Sequence, residues 1–189
     1  MRNPDKIDRR VIYTKKAIRD SYIALQQEKP IERISVTELC KSADINRGTF
    51  YSHYSDPYKL REALQNELVE ALEKRVAERG DKRLTYVETF ELLKEHKELC
   101  RIFAGPYADK ATLLDIVSKQ ADAFMVEHNQ YISNIPDEQV SYLRMFIVSA
   151  ISMSMKQWFD NDLADDPQEL ADMLEKFCFR GISGFAEVK

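Results

Sequence analysis

Apolar positions along this chain recur at three- and four-residue spacings from near its start to near its end, and no stretch sustains a two-residue alternation. That period predicts helices throughout, about nine of them, and an all-α fold. Ile18, Tyr22 and Leu25, at i, i+4 and i+7, mark the inner stripe of a first helix over about 8–28. Pro30 ends it, because the residue before a proline is pushed out of helical geometry. Two short helices are expected over 36–43 and 47–54, then a long one over 57–79 with Gly80 as a left-handed stop. Beyond it the pattern predicts helices over 84–96, 97–104, 110–133, 136–159 and 167–184, with Gly105-Pro106 closing the second of these.

Several of these boundaries have a local chemical cause. Ser35-Val36-Thr37-Glu38 is a capping box, in which hydroxyl and carboxylate satisfy each other's backbone N–H groups. Asp44 tolerates the left-handed turn, and Asn46 is a good N-cap for the helix after it. Asp56-Pro57 and Asp166-Pro167 each place a capping carboxylate before a first-turn proline, and Glu169 adds a capping-box residue to the second.

Composition narrows the class without naming it. The 189 residues are 44% hydrophobic and 32% charged, enough to bury a core and too apolar for a disordered chain. No apolar run reaches the roughly 18 residues of a membrane span, and Met1 leads into charged sequence without an apolar stretch. A cytoplasmic protein with no membrane partner is therefore expected. Cys40, Cys100 and Cys178 are odd in number, far apart and set among apolar neighbours, which reads as reduced core thiols. The net charge of −4 hides an asymmetry. Residues 1–60 carry 12 Lys/Arg against 8 Asp/Glu, whereas 61–189 carry 16 against 24. A basic head on an acidic body is what a protein that docks on a polyanion would show.

The basic part also carries a motif. Two short helices joined by a three-residue turn, after a longer amphipathic helix, are the parts of a helix-turn-helix. The second short helix has to enter a major groove about 12 Å wide with its first residues at base edges. Arg47-Gly48-Thr49-Phe50-Tyr51-Ser52-His53-Tyr54 fits that task. Gly48 removes bulk where the helix would approach a duplex. Phe50 and Tyr54 share an inner face, while Arg47, Thr49, Ser52 and His53 fall outside it, and the Tyr51 hydroxyl can meet a phosphate.

The stretch Val36 to Tyr54 resembles the signature of the TetR family of bacterial transcriptional regulators, through its small or polar-started helix, its turn and its Gly-Thr-aromatic-Tyr-x-His-aromatic run. The matching motif covers about residues 18–60. The resemblance implies a DNA-binding domain over 1–56 and a helical dimerisation and effector-binding domain over 57–189. It also implies a homodimer on a palindromic operator in double-stranded DNA, acting as a repressor released by an unknown small-molecule effector, without cofactor or metal. Carried onto matching positions, Thr37 and Tyr51 become phosphate contacts. Arg47, Gly48, Thr49, Ser52 and His53 become the groove-lining set. Two positions depart from the pattern: Asp44 stands where glycine is common, and Pro57 replaces a lysine for which Lys59 or Tyr58 would have to stand in.

In the acidic body, Leu92 to Leu99, Trp158 to Asp162 and Pro167 to Ala171 resemble the branch of that family related to activators of dihydroxyacetone kinase operons. Tyr142 to Phe159 is apolar nearly all round and calls for burial on more than one side. With the last helix it could make a four-helix interface across a two-fold axis, using Phe146, Ala150, Met153, Phe177, Gly181 and Phe185. A ligand pocket between helices is expected from Phe103, Tyr107, Phe124, Met145 and Trp158, with Cys100, His128 or Arg144 as polar anchors. A Met and aromatic stripe at helical spacing is more often plain core.

No Gly-rich phosphate loop, paired-cysteine ligand set, His-Glu-x-x-His run or nucleophile elbow is present, and the three histidines are scattered, so an enzyme is not expected. The better rival is a protein-interaction co-regulator that kept the fold with weak or no DNA binding, motivated by Pro57 and the modest charge of the head.

Overall fold

The computed structural model of the chain describes residues 9–79, 85–127, 132–133 and 135–183. Among them are nine α-helices and no strand. In chain order these are α1 (Arg9–Glu28), α2 (Val36–Ser42), α3 (Arg47–Tyr51), α4 (Pro57–Arg79), α5 (Tyr86–Glu95), α6 (Lys97–Cys100), α7 (Lys110–Glu127), α8 (Asp137–Asp160) and α9 (Pro167–Ser183). Single 3-10 turns follow α1 at Ile31–Arg33 and α6 at Arg101–Phe103. The fold is all-α, as the period predicts. Gly80, Leu84, His128 and Gly184 lie outside the described residues.

Two compact units divide the chain. One, the head, contains the residues as far as Glu67 together with Ala104–Ala108; the other, the body, holds Leu68–Phe103 and everything from Asp109 onward. The expected cut after residue 56 falls at the N-cap of α4, whereas this division lies about three turns further along the same helix.

In the head, α1 packs on α2 and α2 on α3. The core is Ile18 and Tyr22 from α1, Ile34 from the loop, Leu39 from α2, Phe50 from α3, and Leu60 and Leu64 from α4, all buried. Side chains four apart fall on one helix face, so Ile18 and Tyr22 form one row and Leu60 and Leu64 another. One short segment arrives from far along the chain. The Gln27 amide donates to the Ala104 carbonyl at 3.3 Å. Gly105, at φ +83°, lies so close that a Cβ there would stand 2.1 Å from Gln27 Oε1. The positive φ is what favours glycine at this position, and any Cβ here would also displace the amide end of Gln27.

In the body, α5 packs on α9 and α7 on α8. Helix α7 buries Leu113, Val117, Ala121 and Met125, again four apart. The rings of Phe90 and Trp158 meet edge to face at 5.3 Å, and Phe159 stacks on Phe103 at 5.9 Å. The indole N–H of Trp158 donates to the Asp165 carbonyl, so its polar end is satisfied. Leu72 and Leu92 form a smaller cluster with Ala71, Val76 and Ile116.

Two helices end earlier than the periodicity implies. The chain leaves α3 after Tyr51, not near Tyr54. The Ser52 hydroxyl bonds back to the Thr49 carbonyl at 2.7 Å, and His53 N–H takes the Phe50 carbonyl three residues back, tightening the turn before Pro57. Likewise α6 stops at Cys100 and continues only as a 3-10 turn, which runs into the positive φ of Gly105.

Candidate nucleic-acid interface

The geometry of the turn begins in α2. Ser35 Oγ accepts from the Glu38 N–H at 3.2 Å, and the Glu38 carboxylate accepts from the Ser35 N–H at 3.1 Å. The capping box is complete. The same carboxylate receives the Lys29 ammonium. That ammonium, followed by the Ser35 hydroxyl and N–H, holds the Glu38 carboxyl down to about 2.

Helix α2 closes with a Schellman arrangement. The Ile45 N–H reaches the Cys40 carbonyl at 3.0 Å, with Asp44 left-handed at φ 52° between them. Aspartate in place of the usual turn glycine is therefore accommodated. Asn46 then caps α3, accepting from the Thr49 N–H at 2.8 Å and from the Thr49 hydroxyl at 3.2 Å. A Cβ on Gly48 would stand 3.2 Å from that same Asn46 oxygen, so the glycine gives the cap its room.

Phe50 is fully buried and anchors α3, with Tyr51 at 5.8 Å and Tyr54 at 6.0 Å around it. Tyr54 is half-buried, and burial raises its phenol. Arg47, Gly48, Tyr51 and Ser52 are exposed, as is Thr37 on α2; Thr49 and His53 are half-buried. The exposed side of α3 thus presents a guanidinium, two hydroxyls and an uncovered stretch of backbone. Three expected donors are already engaged within the head. Arg47 Nη2 donates to Thr37 Oγ1, the Ser52 hydroxyl proton goes to the Thr49 carbonyl, and the Lys59 ammonium pairs with Glu62 at 2.6 Å. Asp56 caps α4 through the Lys59 N–H at 2.8 Å, which lowers its carboxyl.

Sequence patterns missed the contact between Thr37 and Arg47, because two residues ten apart across a turn share no period. The Lys59 and Glu62 pair was legible, since i and i+3 are neighbours on a helix. Tyr58, exposed beside Lys59 with the Arg61 guanidinium 5.9 Å from its ring centre, adds a further hydroxyl to this edge.

The residues expected to line a pocket are dispersed. Cys100, Phe103 and Trp158 are buried in the body core, and burial pushes the Cys100 thiol up to about 12. The rings of Phe103 and Trp158 both meet Phe159. Tyr107 belongs to the head and is exposed. Arg144 is bonded through two nitrogens to Asp122, and Met145 is 61% exposed. His128 and the side chain of Phe124 lie outside the described residues. An open depression of about 270 Å³ on α9 is lined instead by Asp172, Glu175, Lys176 and Arg180.

Of the expected interface residues, Phe146, Met153 and Phe177 are 56%, 64% and 54% exposed. The rings of Phe146 and Phe177 stack at 5.8 Å, joining α8 and α9. Ala150 is half-buried, Gly181 lies on α9, and Phe185 falls outside the described residues.

The family described as "Transcriptional regulator C-terminal region", of the TetR class, matches residues 84–180, just over half the chain. The chain belongs to the TetR family of transcriptional regulators. It is 20% identical over 163 residues to the uncharacterized HTH-type transcriptional regulator YxbF of Bacillus subtilis (strain 168), covering 82% of this chain and 42% of that protein. The chain thus spans less than half the length of that curated relative. Among solved structures it resembles the dihydroxyacetone kinase operon activator DhaS, with a TM-score of 0.55 at 17% identity over 92% of this chain and 98% of that one. The fatty acid degradation regulator FadR from Bacillus halodurans superposes with a TM-score of 0.59 at 13% identity, over 89% and 95% of the two chains. At these identities the structural likeness speaks for the fold. Among the described residues no helix is long and apolar enough to cross a membrane.

Proposed function

We propose that this chain is a DNA-binding transcriptional regulator of the cytoplasm, which binds a palindromic operator as a homodimer, represses, and is released by a small-molecule effector. One observation carries the DNA-binding part. Helix α3 is anchored by the buried ring of Phe50 and turns Arg47, Gly48 and Tyr51 outward, beside Thr37 at the start of α2. A guanidinium at the first turn of a recognition helix is placed to read guanine, and hydroxyls around it suit phosphates. The exposed apolar side chains of α8 and α9 support a two-fold dimer, which would set two α3 helices about 34–36 Å apart on one face of the duplex. An effector site in the helical body, using expected pocket residues such as Phe103 and Trp158, completes the proposal.

A selection from random or genomic DNA tests it directly. A palindromic consensus is expected, with affinity that falls steeply as salt rises through phosphate neutralisation. Arg47→Ala should relax preference at one base pair per half-site, at a cost of roughly 1–3 kcal/mol. Tyr51→Phe should weaken every sequence alike. Folded dimer that enriches no sequence would sink this reading in favour of a co-regulator that works through protein contacts, a reading favoured by Pro57 and by the pairing of Lys59 with Glu62. A reporter driven by the selected operator gives the sign of regulation, and thermal shifts against a metabolite panel test for the effector.

A further inference from the structure

Within that DNA-reading proposal, on which this inference rests, we infer that Thr37 is a specificity-positioning residue: its hydroxyl holds the Arg47 guanidinium ready to read a guanine in the operator half-site. The two side chains belong to different helices. Thr37 lies in the first turn of α2 and Arg47 opens α3, and the left-handed Asp44 with the Asn46 cap folds the chain back so that Arg47 Nη2 donates to Thr37 Oγ1. Both residues are exposed, so burial does not force the contact.

The donor count makes the arrangement useful. A guanidinium carries five N–H donors in a planar fork, and two of them on one edge match O6 and N7 of guanine. Nη2 contributes one hydrogen to each of its two neighbouring edges. Whichever of these Thr37 takes, one complete two-donor edge stays free. The threonine hydroxyl, acting as acceptor toward Arg47, still has its own proton for a phosphate oxygen. One side chain therefore ties base reading to backbone contact. An untethered arginine would lose rotamer freedom on reaching the base, and part of that cost is met here before DNA arrives.

The other elements of the head leave this role to Thr37. Asn46 spends its carbonyl oxygen on capping α3, and the Ser52 proton is taken by the Thr49 carbonyl. The Cys40 thiol is buried beneath.

Full-length protein with Thr37→Val, Thr37→Ser, Arg47→Ala or both Thr37→Val and Arg47→Ala tests the inference. Binding is measured on the selected operator, on the operator changed at the base pair to which Arg47→Ala becomes indifferent, and on unrelated duplex. Thr37→Val keeps the shape and removes the hydroxyl. It is expected to reduce discrimination between the first two duplexes by about fivefold or more, beyond any uniform loss on unrelated DNA. Adding it to Arg47→Ala should lower discrimination no further, because the tether then holds nothing. Thr37→Ser should stay within about twofold of the parent, since it retains the acceptor. Equal losses on all three duplexes, additive with Arg47→Ala, would make Thr37 a plain phosphate contact and overturn the inference while leaving the DNA-reading proposal intact. Loss of discrimination in Thr37→Ser as complete as in Thr37→Val would also overturn it. A parent protein without sequence preference would defeat both.

Discussion

Glu38 joins two contacts that sequence spacing alone would treat separately. Its carboxylate closes the capping box with Ser35 and receives the ammonium of Lys29 from the end of the preceding helix. The box was legible because its partners are three residues apart; the ion pair crosses a proline and a 3-10 turn and had no such mark. The carboxyl is held at about 2, below its ordinary 4.5, so as pH falls the unfolded chain takes the proton first. Its stabilising contribution is therefore complete above pH 4.5 and is lost as the pH drops toward about 2. Glu38→Gln should lower the thermal midpoint at neutral pH, with the gap to the parent narrowing through that window. Curves that run parallel at every pH would show that the charge contributes nothing.

At the scale of elements, α3 is only five residues long and cannot be stable by propensity. It exists because Asn46 caps it, Phe50 pins it and the Schellman turn delivers it. Asn46→Ala should cost roughly 1 kcal/mol in urea unfolding, and Asn46→Asp should retain most of that stability. A loss confined to DNA affinity, with unchanged unfolding, would relocate Asn46 from scaffold to interface. Helix starts were the most legible part of the fold, since a capping residue announces itself locally. Thr85 and Glu88 make a second complete box at the start of α5, a local signal that the hydrophobic period, which starts this helix at 84, passes over. Helix ends were less legible. The end of α3 depends on where the Ser52 hydroxyl turns, and that of α6 on how close the chain passes to Gln27.

For the molecule as a whole, α8 carries more apolar surface than the described residues cover. Ile147, Val148, Ile151, Met155, Trp158 and Phe159 are buried, while Tyr142, Met145, Phe146 and Met153 stand 56–72% exposed. The sequence showed a helix apolar on most faces, and the described residues bury one side of it. Phe146→Lys should shift sedimentation from dimer to monomer and abolish the dependence of thermal midpoint on protein concentration. A dimer that withstands a charge at this central ring would place the interface elsewhere. Cys100, Phe103 and Trp158 carry the same apolar signature whether they line a cavity or fill a core, so periodicity does not separate the two.

The return of Ala104–Ala108 to the head makes that compact unit discontinuous in the chain. Such a unit is not a cassette. A chimaera that transplanted only the residues up to Glu67 onto another regulator's body would leave the Gln27 amide without its Ala104 carbonyl, and a host with any other residue in place of Gly105 would strain its positive φ and displace the end of Gln27. If the proposed function holds, recombination meant to swap operator preference should exchange both stretches of chain together, or exchange only the exposed surface of α3 and leave the frame beneath it alone.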